Sequence, residues 1–385
     1  VSNDHDIDAI ISALSALRRA SQAQRYGHVA PPQLPSKFVL ASIVEGITAV
    51  LYPRHYGPPE LPFDSTDEFI ATTLKTCLGG LREQVGREFA LFPSDAPDIQ
   101  ERLRPTDIVD AFARAIPRVR MLLDADIRAA YAGDPAAKSL DEIIFCYPGV
   151  AALIKHRLAH ELYRLGVPML ARIVAEIAHS QTGIDIHPGA EIDQGFFIDH
   201  GTGVVIGETA RIGKNVRLYQ AVTLGAKRFD VDENGALEKG KPRHPILEDD
   251  VVIYAGATVL GRITIGRGST IGGNVWLTHS VPPGSNITQA KARIELFDHG
   301  AGIGLRRSAK VTEAKRAGVP ARFFVSASMP SPRRSPSPSP RAPPRESLPA
   351  SGRAYASRST NHGRRERQPG RTGPPTPCTP PAHCR

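Results

Sequence analysis

The sequence predicts an α-helical domain, followed by a parallel β-helix and then a long polar tail. Three observations predict this fold class. An aliphatic residue returns at every sixth position over 186–282, the earlier residues repeat at three and four, and few aliphatic residues remain beyond Ser326. A period of six fits neither a helix nor a half-buried strand, whereas stacked coils with one flat face per hexapeptide explain it.

The hexapeptide column keeps its register along the chain but is interrupted twice. It comprises Ile186, Ile192, Ile198, Ile206, Ile212, Leu218, Leu224, Leu247, Ile253, Val259, Ile265, Ile271 and Leu277. Two extra residues fall within 199–203, and the polar stretch 226–245 leaves the coil altogether. Insertions in a solenoid often collect on its binding face, so we expect the functional site at these two interruptions.

The chain divides into four predicted parts. They are a flexible N-terminal segment 1–34, an α-helical domain 35–183 for oligomerisation and substrate binding, a β-helix 184–290, and a mostly disordered basic tail 291–385. Within the helical part, the predicted helices are 42–51, 66–85, a helix to 116 with Thr106 as its N-cap, 118–131, and 139–181 interrupted at 148–149 and 166–168. The tail is rich in Pro, Ser and Arg, which favours disorder.

The net charge of +9 belongs to the tail. From Gly304 onward there are 17 Lys and Arg against 3 Glu, which leaves −5 for the part of the chain before it. The folded part therefore indicates no nucleic-acid binding. No apolar run is long enough for a membrane span, and the N-terminus lacks the pattern of a secretory signal. The cysteines Cys77, Cys146, Cys378 and Cys384 show no metal or disulfide spacing, which is typical of a cytoplasmic protein.

The sequence DIHPGAEIDQGFFIDHGTGVVIGETA at 185–210 closely resembles serine O-acetyltransferase, a hexapeptide-repeat acyltransferase of cysteine biosynthesis. The resemblance includes Asp134-Pro135, the segment YPGVAALIKHRLAHELYRLGVP and Arg243-His244-Pro245, and covers roughly residues 100–290. It implies a left-handed β-helix that assembles as a homotrimer with active sites between neighbouring prisms. Dimers of trimers, formed through the helical domains, are common in the family.

The resemblance assigns the catalytic residues. Acetylation of the serine hydroxyl needs a base, and a histidine suits that task at neutral pH. The family's base matches His200, and the carboxylate that orients it matches Asp185. These residues are 15 positions apart and a coil has about 18, so we expect adjacent coils to bring them together.

Substrate positions are also implied by the resemblance. L-Serine would place its ammonium group at Asp134 and Asp199 and its carboxylate at Arg243 and His244, with some of these residues supplied by a neighbouring subunit. Acetyl-CoA, the co-substrate, would lie along the groove between prisms at Gly225, Ala255 and Gly273, with 226–245 closing over it. Direct attack on the thioester needs no cysteine nucleophile and no metal. Cysteine is expected to inhibit at the serine site.

Three alternatives remain open. The first is a γ-type carbonic anhydrase on the same prism, with zinc held by three histidines that converge from neighbouring subunits; the candidates are His187, His200, His244 and His279. The second is an acetyltransferase for another acceptor. The third is a non-catalytic scaffold for O-acetylserine sulfhydrylase, the next enzyme, which in the family binds a terminal isoleucine. That complex is in doubt here, because the chain continues past Ile303 as far as Arg385.

Overall fold

The computed structural model describes residues 6–27, 30–91, 104–228, 235, 237–238 and 240–289. These residues belong to one compact unit, Val1–Glu295, so the helices and the coil pack together. The predictions about Ile303 and the tail 291–385 lie outside the described residues. None of the helices in these ranges is long and apolar enough to cross a membrane.

The described chain up to Gly183 is α-helical, as its spacing of three and four predicts. Its helices are α1 (Ile7–Tyr26), α2 (Lys37–Leu51), α3 (Pro53–Tyr56), α4 (Thr66–Leu91), α5 (Pro105–Gly133), α6 (Leu140–Cys146), α7 (Pro148–Arg164) and α8 (Pro168–Thr182). Aliphatic residues from α2, α4, α5, α7 and α8 form a common buried core that continues into the coil.

Side chains that satisfy backbone N–H groups define where two of these helices begin. At α2, the Ser36 hydroxyl accepts from the Val39 N–H at 3.3 Å. At α8, the Glu88 carboxylate of α4 accepts from the N–H groups of Met169 and Leu170 at 2.9 and 2.8 Å. A negative charge is favourable at a helix N-terminus, so Glu88 also attaches α4 to α8.

The predicted break between two helices at Pro117 is wrong, because α5 is one helix of 29 residues. Its buried face continues across the proline from Phe112 and Ile116 to Val119. Proline in a helix interior costs about 3 kcal/mol. The packing of this long apolar face offsets that cost.

Other predicted limits also need correction. The N-cap of α5 is Arg104 rather than Thr106, because the helix already begins at Pro105. Helix α2 begins at residue 37 instead of 42, and α4 continues to residue 91 instead of 85. Segment 1–34 contains α1, of which no residue is buried. Helical hydrogen bonds thus continue past the apolar residues on which those predictions depended.

From Asp185 the chain forms the predicted parallel β-helix. Its strands are β1 (Asp185–Ile186), β2 (Glu191–Ile192), β3 (Phe197–Ile198), β4 (Val205–Ile206), β5 (Arg211–Ile212), β6 (Arg217–Leu218), β7 (Thr223–Gly225), β8 (Ile246–Leu247), β9 (Val252–Ile253), β10 (Thr258–Leu260), β11 (Thr264–Ile265), β12 (Thr270–Ile271), β13 (Trp276–Leu277) and β14 (Asn286–Ile287). Three parallel sheets form the faces of the prism, in the orders β1-β4-β7-β10-β13, β2-β5-β8-β11 and β3-β6-β9-β12-β14. This is the architecture of the left-handed β-helix that the family resemblance implies.

The strand register confirms the hexapeptide column and its first interruption. Most of the predicted column residues are buried, and they lie opposite one another on successive coils, as Ile206 does to Leu224. Asp185 pairs with Val205, and Val205 pairs with Thr223. More residues therefore separate Asp185 from Val205 than separate Val205 from Thr223. The extra residues within 199–203 therefore enlarge the first coil. Stacking tolerates them because they lie in a turn outside the strands.

One strand of the coil lies beyond the hexapeptide register, which extends over 186–282. Strand β14 follows Pro283 and adds to the third sheet, with Ile287 opposite Ile271. The step from Ile271 to Ile287 is shorter than the step from Ile253 to Ile271, so the last coil is the smaller one. This irregular spacing concealed it in the sequence.

A buried ion pair joins the helices to the first coil. Arg157 of α7 donates two hydrogen bonds to Asp126 of α5, at 2.7 and 2.9 Å, and both side chains are at most 5% exposed. Arg157 also donates to the carbonyls of Ile192 and Asp193, and Asp126 accepts from the Phe196 N–H. The pair thus satisfies backbone groups of the coil as well as its own charges.

Candidate active site

Two edges of the prism carry the predicted site residues. The first, which we call the His200 edge, consists of the turns after β3, β6, β9 and β12. The second, the Arg243 edge, consists of the turns after β1, β4, β7 and β10. Both edges border the face formed by β1, β4, β7, β10 and β13. Within one chain this face separates them.

The two extra residues of the first coil place His200 on its edge. His200 adopts φ 58°, in the left-handed region, and its side chain is 71% exposed. Its Nε2 atom lies 3.8 Å from Oδ1 of Asp199, whose side chain is 15% exposed. An exposed imidazole beside a carboxylate can accept a proton from a bound hydroxyl.

The helices bring a second carboxylate to the His200 edge. Asp134 directly follows α5 and accepts hydrogen bonds from the Tyr147 hydroxyl and from the Ala136 N–H, the latter at 2.8 Å. These two bonds hold the pKa of Asp134 below its usual range, and the nearby charge of His200 acts in the same direction. Burial, together with Asp134 and Asp199, raises the pKa of Tyr147, so its hydroxyl remains a hydrogen-bond donor. Asp134, Tyr147, Asp199 and His200 form what we call the His200 cluster.

On the Arg243 edge, a chain of hydrogen bonds fixes the guanidinium. Arg243 Nη2 donates to Oε2 of Glu208 at 2.6 Å, and the Tyr163 hydroxyl of α7 donates to Oε1 of the same carboxylate at 3.1 Å. Burial alone would raise the pKa of Glu208, but the bonds from Arg243 and Tyr163 outweigh it and lower that pKa. Glu208 is therefore ionised and holds Arg243 in one place.

His244 is held against the backbone of the same edge. Its Nδ1 accepts from the Thr209 N–H at 3.1 Å, which puts the proton of the neutral ring on Nε2. Burial, followed by the charge of Arg243, lowers the pKa of His244 to about 4. Only glycine fits at position 207, since a Cβ there would lie 2.0–2.1 Å from the ring. His244 is therefore neutral at physiological pH.

The expected pairing of His200 with Asp185 does not form within one chain. In the parts of the chain that the structure describes, no hydrogen bond or ion pair joins the two side chains. Asp185 lies in β1, where its carboxylate influences the pKa of His187 on the Arg243 edge. The prediction considered the spacing along the coil, but His200 occupies a turn and Asp185 a flat face. We call Asp185, His187, Glu208, Arg243 and His244 the Arg243 cluster.

The three positions predicted for acetyl-CoA lie on both edges. Ala255 and Gly273 stack on the His200 edge, where a Cβ at 273 would lie 3.1 Å from the Ala255 carbonyl oxygen. Gly225 ends β7 on the Arg243 edge, directly before the stretch 226–245. Within one chain they therefore lie on opposite sides of the face formed by β1, β4, β7, β10 and β13.

Three contributors to these clusters were not assigned roles from the sequence. Tyr147 orients Asp134, Glu208 holds Arg243, and Tyr163 holds Glu208. Tyr147 and Tyr163 lie within the motif quoted for the helical segment, and Glu208 lies in GETA. No spacing rule joins residues 163 and 208, so only the packing of α7 on the coil reveals their contact.

The histidines do not form a zinc site within the described residues of one chain. His200 lies on one edge, whereas His187 and His244 lie on the other. The group whose donor atoms lie within 4.8 Å of one another consists of Glu176, His179 and Asp185, with a single histidine.

A hexapeptide prism with an exposed histidine on one edge and a charged cluster on the other is typical of a hexapeptide-repeat transferase. In agreement, the family described as "Bacterial transferase hexapeptide (six repeats)" matches residues 244–279.

The similarity to individual proteins is more specific. A serine acetyltransferase encoded on a plasmid of Synechococcus elongatus is 56% identical over 306 residues, covering 77% of this chain and 95% of that relative. The chain belongs to the serine acetyltransferase family.

Solved structures agree with this membership. The structure of Entamoeba histolytica serine acetyltransferase 1 in complex with L-cysteine is 36% identical, with a TM-score of 0.57, over 70% of this chain and 92% of that one. Isoform 3 from the same organism, also in complex with cysteine, is 32% identical with a TM-score of 0.57, over 79% of this chain and 97% of that one.

Proposed function

We propose that this protein transfers the acetyl group of acetyl-CoA to the hydroxyl of L-serine, giving O-acetyl-L-serine and CoA in cysteine biosynthesis. The observation that carries the proposal is the His200 cluster, in which an exposed imidazole lies beside two carboxylates. That arrangement suits an acceptor that carries both a hydroxyl and an ammonium group. Membership of the serine acetyltransferase family supports the same acceptor.

In the proposed reaction His200 is the general base. It removes the proton of the serine hydroxyl as the oxygen attacks the thioester carbonyl. The carbon–sulfur bond then breaks, and the proton on His200 neutralises the departing CoA thiolate. Because the imidazole both accepts and returns one proton, the step needs neither a covalent enzyme intermediate nor a resident metal.

The charged ends of serine would be bound by different clusters. Asp134 and Asp199 suit the ammonium group, while Arg243 and the Nε2–H of His244 suit the carboxylate. Because these clusters lie on separate edges of one prism, we infer that a second copy supplies the Arg243 cluster. The same arrangement would bring the partner copy's Asp185 close to His200, where its carboxylate would orient the imidazole.

Acetyl-CoA would lie in the groove between two such copies, along Ala255 and Gly273 of one and Gly225 of the other. A homotrimer, alone or as a dimer of trimers, closes these contacts with one repeated interface. Cysteine has the ammonium and carboxylate of serine but a thiol in place of the hydroxyl. We therefore propose that it competes with serine, and the Entamoeba structures that hold cysteine support this.

The acceptor is tested by following CoA release from acetyl-CoA with L-serine, L-homoserine, a hexose or no acceptor. Serine should be the preferred acceptor, and cysteine should raise the apparent KM for serine without changing kcat. If another hydroxyl compound reacts while serine does not, the proposed acceptor is wrong. If CoA is released equally without an acceptor, transferase activity itself is excluded.

The shared site is tested by mixing inactive variants. His200→Ala and Arg243→Ala chains are co-refolded in equal amounts, beside each variant refolded alone. In mixed trimers about a quarter of the interfaces combine an intact His200 with an intact Arg243, so about a quarter of the wild-type rate should return. A site contained in one chain would remain inactive in every mixture.

A further inference from the structure

A recess on the helical domain is lined by residues that have no role in the proposed reaction. It has a volume of about 480 Å³ and is bordered by the junction of α2 and α3, by one side of α5 and by the start of α6. None of its lining residues belongs to the His200 cluster or the Arg243 cluster. Its size is that of a small-molecule pocket.

The charges that line the recess are predominantly positive. Three arginines, Arg54, Arg120 and Arg128, contribute to its surface, against two acidic residues, Asp124 and Asp141. Counting His55 as neutral, the recess carries a net charge of +1. A ligand that enters it therefore gains electrostatically by being an anion.

Both acidic side chains already have partners. Asp124 accepts hydrogen bonds from the Tyr52 hydroxyl at 3.1 Å and from Nε of Arg120 at 2.8 Å. Asp141 lies 2.7 Å from Nε2 of His55. Each of the two carboxylates therefore already has a partner among the residues that line the recess.

One of the arginines is held in place by its neighbours. Arg120 donates to Asp124 and to the carbonyl of Leu51, and its guanidinium lies 4.1 Å from the centre of the Tyr52 ring. Arg120 is thus pre-organised by an ion pair, a backbone contact and a cation–π contact.

Arg54 and Arg128, unlike Arg120, have no partners among the described residues that hold them. Within the described ranges of the chain, Arg54 and Arg128 make no hydrogen bond, ion pair or ring contact, and both are exposed. Two guanidinium groups that border the same recess, with every neighbouring carboxylate already engaged, can be satisfied together by one ligand that brings its own negative charges.

We propose that this recess binds a small dianion, with Arg54 and Arg128 as the groups that recognise its phosphate or carboxylate oxygens. The ligand class is a small phosphate or a short dicarboxylate, because a guanidinium pairs bidentately with either. The Tyr52 hydroxyl stays protonated, as burial raises its pKa, so it adds no competing negative charge.

The position of the recess connects it with the amino-acid site. Arg128 lies on α5, which ends directly before Asp134, and Ile144 lies on α6, which ends directly before Tyr147. An anion in the recess therefore contacts both helices whose C-terminal ends place the Asp134–Tyr147 hydrogen bond. We expect it to change the apparent KM for serine, an effect that rests on the proposed function.

Binding is measured by isothermal titration of the full chain with sodium phosphate and, separately, sodium succinate, at an ionic strength held constant with sodium chloride. At least one probe should bind saturably, one per chain, with a Kd of ~1 mM or below. In Arg54→Gln/Arg128→Gln the affinity should fall at least about tenfold, or about 1.4 kcal/mol. The matched control is Arg82→Gln/Arg114→Gln, which removes two exposed arginines elsewhere on the helical domain and should bind as the wild type does.

The outcomes separate the two parts of the inference. The site is refuted if neither probe binds the wild type in this range, or if the control variant weakens binding as much as the Arg54/Arg128 variant. Serine turnover is then measured with and without the probe that binds. A KM that shifts in the wild type but not in the Arg54/Arg128 variant supports the coupling, and an unchanged KM refutes it. The titration needs no serine turnover, so it decides the site even if the proposed function fails.

Discussion

The two edges of the prism differ in how completely their side chains are held. On the Arg243 edge, the bonds of Tyr163, Glu208 and Arg243 form a chain, and His244 is 7% exposed. On the His200 edge, the imidazole is 71% exposed and lies 3.8 Å from its nearest carboxylate, that of Asp199. The Arg243 cluster, which would bind the carboxylate of serine, is thus held in place by bonds within one chain. The imidazole of His200 is instead open to the substrate and to a neighbouring copy.

Removal of the His200 imidazole should have the largest effect on the rate of acetyl transfer. His200→Asn removes the proposed base, while asparagine tolerates the left-handed backbone at this position. We expect kcat to fall by ~10²–10⁴ in initial-rate assays. The unfolding temperature should stay close to that of the wild type, because the imidazole is largely exposed. His279→Asn, at another exposed histidine, is the control and should retain the rate. A His200→Asn enzyme as fast as this control would exclude His200 as the base.

A clash on the Arg243 edge should affect both the binding of serine and the stability of the fold. Gly207→Ala places a Cβ within 2.1 Å of the His244 ring, which must move. Overpacking of this kind costs about 1–3 kcal/mol. We expect a lower unfolding temperature and a higher KM for serine. Gly86→Ala is the control, since a Cβ there has open space around it. If Gly207→Ala matches the wild type in both measurements, the ring is not fixed as described.

Low pH should destabilise the fold by protonating His244. The folded-state pKa of His244, about 4, lies below its unfolded value of ~6.5, so the unfolded chain takes up the proton first. Stability from this group is complete above pH 6.5 and is lost between pH 6.5 and 4, by about 1.4 kcal/mol per pH unit. Burial also lowers the pKa of His187, His160 and His156.

Urea unfolding from pH 7.5 to 5.0 measures this dependence. The free energy of unfolding should fall as the pH decreases below 6.5, and His244→Asn should flatten the slope. A slope that the substitution leaves unchanged would show that His244 is not held neutral in the folded state.

The smallest expected effect follows from the loss of the Tyr163 hydroxyl. Tyr163→Phe removes the hydroxyl bond to Glu208 but keeps the ring, which contacts His187 edge-on. Loss of one hydrogen bond of about 0.5–1.5 kcal/mol should raise the KM for serine by roughly 2- to 10-fold, with kcat and the KM for acetyl-CoA unchanged. Tyr131→Phe, at an exposed tyrosine, is the control. An equal change in kcat would place Tyr163 in a different role.

The sequence predicted the coil and its interruptions well, since both depend on counting. A column of aliphatic residues six apart must face inward, and two extra residues before Ile206 must leave the strand register as a turn. Residue counting could not locate Asp185 relative to His200, because it does not distinguish an outward position on a flat face from one in a turn. The single helix through Pro117 was missed because packing, which a local pattern does not contain, outweighs the cost of the proline.

The contacts of Tyr163 were equally inaccessible from the sequence. Its hydroxyl reaches Glu208 across 45 residues, and nothing in the local pattern of either segment requires the other. The charged residue types that suit an amino acid could be named from the family motif. Which of them share an edge follows only from the strand order.

The buried pair of Arg157 and Asp126 has a consequence for modularity. An engineer who cut the chain at Gly183, where the period changes from helix to coil, would leave the carbonyls of Ile192 and Asp193 without their donor. The cut would also remove Asp134 and Tyr147 from the His200 cluster, and Tyr163, which holds Glu208 of the Arg243 cluster. The coil therefore cannot be transplanted as an independent catalytic cassette, and an exchange between relatives should take the helices from Pro105 onward together with the first coil.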